Sequence, residues 1–118
     1  MFEAGDIREW RGRDVVDDRG HKIGVLEAIY VDTATDQPFF ATVTVGLPTR
    51  RRLVFAPLTG ATVGPGYLKI TQPKDLVKKA PSIDVDGELP ATDEPGIFAH
   101  YELEYAPGAG GERRLGRR

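Results

Sequence analysis

Phe39-Phe40-Ala41-Thr42-Val43-Thr44-Val45-Gly46 is the stretch on which the fold turns. Phe39, Ala41, Val43 and Val45 alternate with Phe40, Thr42 and Thr44, and a period of two rich in β-branched residues marks a strand. Upstream, Lys22 to Asp32 carries Ile23, Val25, Ile29 and Val31 on one parity and Leu26, Ala28 and Tyr30 on the other. A strand that is apolar on both parities is buried on both sides over part of its length, so it must bend. Gly24 within the run permits that bend. Asp14-Val15-Val16-Asp17 is a short strand, and Asp18-Arg19-Gly20 is the turn that separates it from Lys22. Downstream, Arg52 to Ala56 is a strand stopped by Pro57. Thr59 to Gly66 holds a turn and a very short strand, and Tyr67 to Thr71 ends the β run. Five or six short strands within about 60 residues, joined by short loops, indicate a mainly β fold. An open sheet of this size leaves a bare apolar face and two free edges, and closure into a small barrel removes both.

The totals narrow the function. The chain has 118 residues, which is the size of one domain able to bury its own core. It has no cysteine, which excludes disulfides, thiolate metal ligands and thiol catalysis. A formal charge of -2 and a pI of 5.7 are a poor overall match to nucleic acid. Met1 to Trp10 has no basic segment followed by an apolar one, and no apolar run approaches the ~20 residues of a membrane helix. The expectation is a cytoplasmic protein with no membrane span. Phe2, Ile7 and Trp10 are apolar islands among charges, and Trp10 is expected to anchor this segment over one mouth of the barrel.

The character changes at Pro73, a residue suited to the start of a helix. Lys74 to Ala80 can form about two turns before Pro81. Ser82 to Pro90 reads as irregular and acidic. Thr92 or Asp93 can cap a second helix with Pro95 in its first turn. Ile97, Phe98, Tyr101, Leu103 and Tyr105 then supply an apolar face that must cover the barrel or a neighbouring subunit. Pro107 to Arg118 is rich in Gly and Arg and is expected to be disordered. The expected organisation is a barrel core at 7–72, a helical extension at 73–105 and a tail at 106–118.

Asp14 to Val25 resembles the opening of a PRC-barrel domain: a short strand, an acidic turn ending in Gly20, then Ile23-Gly24-Val25. Phe39 to Gly46 and Leu53-Val54-Phe55-Ala56-Pro57-Leu58 fit the same pattern. Asp75 to Pro81, Asp84 to Glu88 and Ile97 to Tyr101 resemble extensions that accompany such barrels in bacterial, actinobacterial-type members. The resemblance implies a PRC-type β-barrel of five or six short strands with a C-terminal helical extension. Relatives include a domain of the photosynthetic reaction-centre H subunit and one of a ribosome maturation factor. They imply docking onto other macromolecules and no shared enzymatic activity.

Candidate chemistry is sparse. His21 lies in a charged turn and His100 on the terminal helix, and no nucleophile motif accompanies either. Ser82, Asp84, Asp86, Gly87 and Asp93 fall on positions of a calcium loop, but Ser replaces Asp at the first and Pro90 interrupts it. Gly60 to Gly66 lacks the ending of a phosphate-binding loop. No metal or cofactor is expected. Arg50, Arg51 and Arg52, with Arg113, Arg114, Arg117 and Arg118, form a candidate basic patch for RNA without interleaved aromatics to stack bases. Phe40, Phe98 and Tyr101 are the candidate interaction surface, an apolar patch for self-association. The expected function is a non-catalytic adaptor that binds protein and forms a homodimer; the alternative is an RNA- or ribosome-associated module.

Overall fold

The computed structural model describes residues 7–46, 50–85, 87–106 and 113–117, with only the backbone at 7 and 8. A single turn of helix, α1 (Ile7–Trp10), precedes β1 (Asp14–Val16), β2 (Lys22–Asp32), β3 (Pro38–Val45), β4 (Arg52–Pro57), β5 (Thr62–Gly64) and β6 (Tyr67–Lys69). Then follow α2 (Lys74–Lys78), β7 (Ser82–Asp84), a 3-10 turn (Ala91–Asp93), α3 (Glu94–His100) and β8 (Leu115–Arg117). Six strands fall between Asp14 and Lys69, at the upper end of the five or six expected there.

The strands form one sheet in the order β5-β6-β1-β2-β3-β4-β7, and β8 pairs with β2 off this path. Neighbours are antiparallel except β1 and β6, which run parallel. The two ends of the path, β5 and β7, do not pair with each other, so the sheet is barrel-like but not closed. Closure therefore does not remove the edges as expected. Instead the edge strands are cut to three residues each, which limits what they can template.

β2 bends where the sequence demands it. Its register against β3 shifts between Leu26 and Ala28 and again between Tyr30 and Val31, as bulges do when they coil a sheet. From Ala28 to Asp32 every residue is buried, which accounts for the apolar residues on both parities. At Gly24 the two strands come so close that a Cβ would lie 2.2 Å from the Thr44 carbonyl oxygen and 2.8 Å from a Val43 methyl. The concave side holds one core that includes Val15, Leu26, Ile29, Phe40, Val43, Phe55 and Leu68. Trp10 packs into the same core at 5 % exposure, the anchoring role expected of it.

The segment after Pro73 departs from expectation in two ways. Ser82–Asp84 is not irregular but adds to the sheet beside β4, with Ile83 opposite Leu53. Leu115–Arg117 is not disordered but pairs with the last third of β2, and Leu115 is fully buried. The sheet thus extends past residue 72, with β7 and β8 added to it. The reason is that one apolar side chain and several ionic contacts suffice to seat a strand that composition alone assigns to solvent. Residues 107–112 and 118 of the expected tail lie outside the described residues, as does Phe2. α3 ends at His100, and the Leu103 backbone N–H bonds to Phe98 to close it. Leu103 and Tyr105 still pack on the core from the irregular segment beyond.

One carboxylate joins the early hairpin to the later helix. Asp17, 3 % exposed, accepts the Arg19 and His21 backbone N–H groups on Oδ1 at 3.0 and 2.8 Å. Its Oδ2 accepts the Lys74 N–H at 3.2 Å. α2 has no cap from its own N-cap residue, Pro73, so Asp17 supplies one from far away in sequence. Burial raises the Asp17 carboxyl, but the backbone donors and the neighbouring His21 outweigh it and hold the group below its ordinary 3.8. A carboxyl depressed by folding stabilises fully above its unfolded value and loses that contribution as pH falls through the folded one.

Three substitutions test this packing. Gly24→Ala should lower stability by about 1–3 kcal/mol, because backbone must move to admit the methyl. Gly96→Ala should be neutral or raise stability by up to about 1 kcal/mol, because nothing lies within 4 Å of its Cβ position and it sits in α3. Urea unfolding of both variants checks the opposite signs. Asp17→Ala should cost about 2 kcal/mol at pH 7 by stranding backbone donors. The difference from wild type should shrink as pH drops below about 4, which unfolding curves at pH 7 and pH 3 would register.

Candidate functional site

Phe40, Phe98 and Tyr101 do converge, but inside the molecule. Phe40 and Phe98 are wholly buried and Tyr101 is 7 % exposed. The Phe40 ring lies 5.3 Å from Phe98 and 6.3 Å from Tyr101, and Phe39 and Tyr105 complete the cluster against Phe98 at 5.4 and 4.9 Å. Tyr101 donates its hydroxyl to the Phe55 carbonyl at 2.5 Å, and burial raises its phenol well above the ordinary range. These residues are not an interaction surface. The apolar face of α3 covers the chain's own sheet, so no partner is needed to bury it.

The candidate basic patch is dispersed. Arg52 turns its guanidinium onto the Lys78 carbonyl at 2.6 Å, near the C-terminal end of α2, where a cation is favoured. Arg50 is exposed, and Arg51 faces an open groove of about 670 Å³. The groove runs over Gly24, Val25, Thr44 and Gly46 and brings Lys22 and Lys78 to Arg51. None of its lining side chains is a carboxylate, although Lys22 also pairs with Asp14 at 3.2 Å. Lys22 and Lys78 were not part of the patch read from sequence. Only the fold brings three cations from β2, the β3–β4 connection and α2 together.

The remaining candidates take structural places. His21 meets Asp17 at 3.4 Å with its side chain 62 % exposed. His100 sets Nε2 2.6 Å from the Leu76 carbonyl, with its ring edge-on to Tyr101 at 4.9 Å. Ser82 and Asp84 lie on β7, opposite Val54 and Arg52, so the calcium-like spacing falls on extended backbone and not on a wrapped loop. Asp86 is outside the described residues. Among the described residues no three His, Cys, Asp or Glu side chains gather as metal ligands do. No described helix is long and apolar enough to cross a membrane.

Two surface features went unnoticed in the sequence. The first is the β5–β6 hairpin. Pro65-Gly66 forms its turn, Gly66 taking φ +78°, and Tyr67 lies so close over Gly64 that a Cβ there would sit 2.1 Å from the ring. Val63, on β5, and Tyr67, on β6, are 38 % and 37 % exposed, and the outer edge of β5 has no neighbour among the described strands. Alternation over three residues is too short to tell an outward Tyr67 from a core one. The second is the seat of β8. Glu94, wholly buried at the start of α3, accepts the Tyr105 hydroxyl and Arg114 N–H on Oε1 at 2.7 and 2.8 Å, and the Leu115 N–H on Oε2 at 2.9 Å. Asp32 pairs with Arg114 at 2.8 Å, and that hydrogen bond holds its carboxyl below the ordinary range. A lone Glu before an apolar helix gives no hint in sequence of its distant backbone partners.

A family model for the PRC-barrel domain matches residues 3–77. That span contains β1 to β6 and most of α2, including the Asp17 turn and the Gly24 bend. No curated protein matches the chain. With the matched span covering more than half of the sequence and coinciding with the coiled sheet, this chain belongs to the PRC-barrel family.

Proposed function

We propose that this chain is a non-catalytic protein-interaction module, an adaptor that docks through the β5–β6 hairpin and counts a second copy of itself among its partners. The observation that carries the reading is the hairpin: an exposed Val63 on β5, whose outer edge has no neighbour among the described strands, and an exposed Tyr67 on the adjoining β6. An edge of this kind offers backbone hydrogen bonds for strand addition, and the flanking side chains supply apolar contact. A hollow between Asp14, Val16, Gly20 and Tyr67 lies beside it. Both histidines are held by structural contacts, which supports a role in binding over catalysis. Family membership adds the same weight, since PRC barrels are small β modules that often mediate interactions.

A second reading rests on the groove of Lys22, Arg51 and Lys78, which suits phosphates of single-stranded RNA. It has no exposed aromatic among its lining residues, so binding would be electrostatic and insensitive to sequence.

The hairpin reading predicts a concentration-dependent dimer in sedimentation velocity, abolished by Val63→Lys combined with Tyr67→Ser. Affinity capture from the native cell with the same double variant as control extends the test to other partners. A strict monomer that captures the same proteins as its variant removes the reading. For the RNA reading, three phosphate contacts imply that affinity for an unstructured RNA falls by about 10–20-fold between 50 and 200 mM salt. Fluorescence anisotropy with wild type and Arg51→Glu measures this, and equal binding by both proteins excludes the groove.

A further inference from the structure

The last strand sits on the sheet as a ligand sits in a site. Tyr30 to Asp32 offers the edge of β2, and Leu115, Gly116 and Arg117 pair with it in antiparallel register. Leu115 is the single apolar anchor and is fully buried. Glu94 captures two successive backbone N–H groups, those of Arg114 and Leu115. Carboxylates take the arginines: Asp32 pairs with Arg114, and Glu27 pairs with Arg117. The Arg114 guanidinium also lies over the Phe39 ring, 5.8 Å from its centroid. The Thr33 hydroxyl and N–H donate to the carbonyls of Arg113 and Arg114 at 2.8 and 2.9 Å, and Arg113 donates to the Leu89 carbonyl at 3.1 Å. An acidic rim, an apolar pocket and a strand edge are the parts of a site for a short basic peptide in extended form.

The fit has one flaw. Arg114 Nε is buried with no hydrogen-bond partner among the described residues. A buried donor left unmade weakens the case for permanent seating. The six residues between Ala106 and Arg113 include three glycines and one proline.

We infer that the groove formed by β2, Glu94 and Glu27 is a strand-addition site whose occupant exchanges, so that the segment Arg113–Arg117 of a second copy can fill it in place of the chain's own. Each contact described above comes from residues before the segment in the chain, so the same contacts form when a second molecule supplies it. Reciprocal donation gives a closed two-fold dimer. The inference deepens the self-association reading but uses a different edge from the hairpin, and the two are separable.

The test uses the full-length Leu115→Asp variant, whose groove is intact and whose own strand cannot seat. A fluorescent peptide of sequence Glu-Arg-Arg-Leu-Gly-Arg-Arg is the probe. Binding to this variant should be at least tenfold tighter than to wild type, and tenfold tighter than that of the same peptide carrying Asp for Leu. The wild-type dimer in sedimentation velocity should be lost in Leu115→Asp as well as in the Val63→Lys, Tyr67→Ser variant; a dimer lost in Leu115→Asp but kept in the hairpin variant removes the hairpin reading alone. A wild-type monomer at all concentrations, loss of the dimer only in the hairpin variant, or no peptide preference in folded Leu115→Asp overturns the inference. Hydrogen exchange on wild type gives an answer that needs no variant. The β8 amides should exchange at least tenfold faster than that of Val43, and exchange of β8 only with global unfolding overturns the inference.

Discussion

An eleven-residue strand has to serve three neighbours at once, and the rest of the structure follows from how it does so. β2 gives β3 one whole side and divides the other between β1 at its start and β8 at its end. A flat strand cannot do this around a single core. The bulges after Leu26 and Tyr30 and the bare Cα of Gly24 let it coil, and the coil lets one sheet enclose its own apolar face. The family match falls on this same part of the chain, so the coiled meander is what the PRC-barrel relationship describes.

Buried carboxylates, together with apolar contacts, connect what the meander leaves apart. Asp17, Asp32 and Glu94 are all nearly or wholly buried, and each accepts backbone N–H groups. Asp17 ties the first hairpin to α2. Asp32 closes the turn after β2 through the Ala34 N–H and reaches Arg114, while Glu94 ties α3 to β8. A carboxylate in such a position is stabilised by donors that the backbone would otherwise leave unsatisfied, so both sides of the contact gain. The arrangement also makes these joints specific: an apolar residue would fill the space but leave the N–H groups orphaned.

The strands were legible where alternation runs long enough to be unambiguous. Phe39 to Gly46, the bent Lys22 to Asp32 run and the Asp-Arg-Gly turn all stand where their residues place them. The amphipathic face of α3 was legible too, but not what covers it. Periodicity says that Phe98 and Tyr101 must be buried and is silent on whether the burying surface belongs to the same chain. β7 and β8 were missed for a different reason. Three-residue strands carry too little pattern, and Leu115 is the only apolar residue between Ala109 and Arg118. Their placement comes from partners far away, Leu53 for Ile83 and Glu94 for Leu115, and no local signal encodes such a partner. The cationic groove was half legible: Arg51 announced itself in a basic triplet, whereas Lys22 and Lys78 join it only through the fold.

An unclosed sheet has to deal with its edges, and the three treatments here differ in kind. At β7 the edge is short and is followed at once by the exposed Val85. At β5 it is short but carries the exposed Val63, which a purely defensive edge would replace with charge. The far end of β2 is long, apolar on both faces and therefore the most hazardous, and there the chain supplies its own cover from the C-terminal segment. A cover made of one buried leucine flanked by arginines is a weak hydrophobic plug and a strong electrostatic one. Its hold depends on the contacts that Asp32, Glu27 and Glu94 make with it. Whatever competes for those carboxylates with an extended backbone and a basic side chain on either side of an aliphatic one has, by the same contacts, access to the most adhesive edge in the molecule.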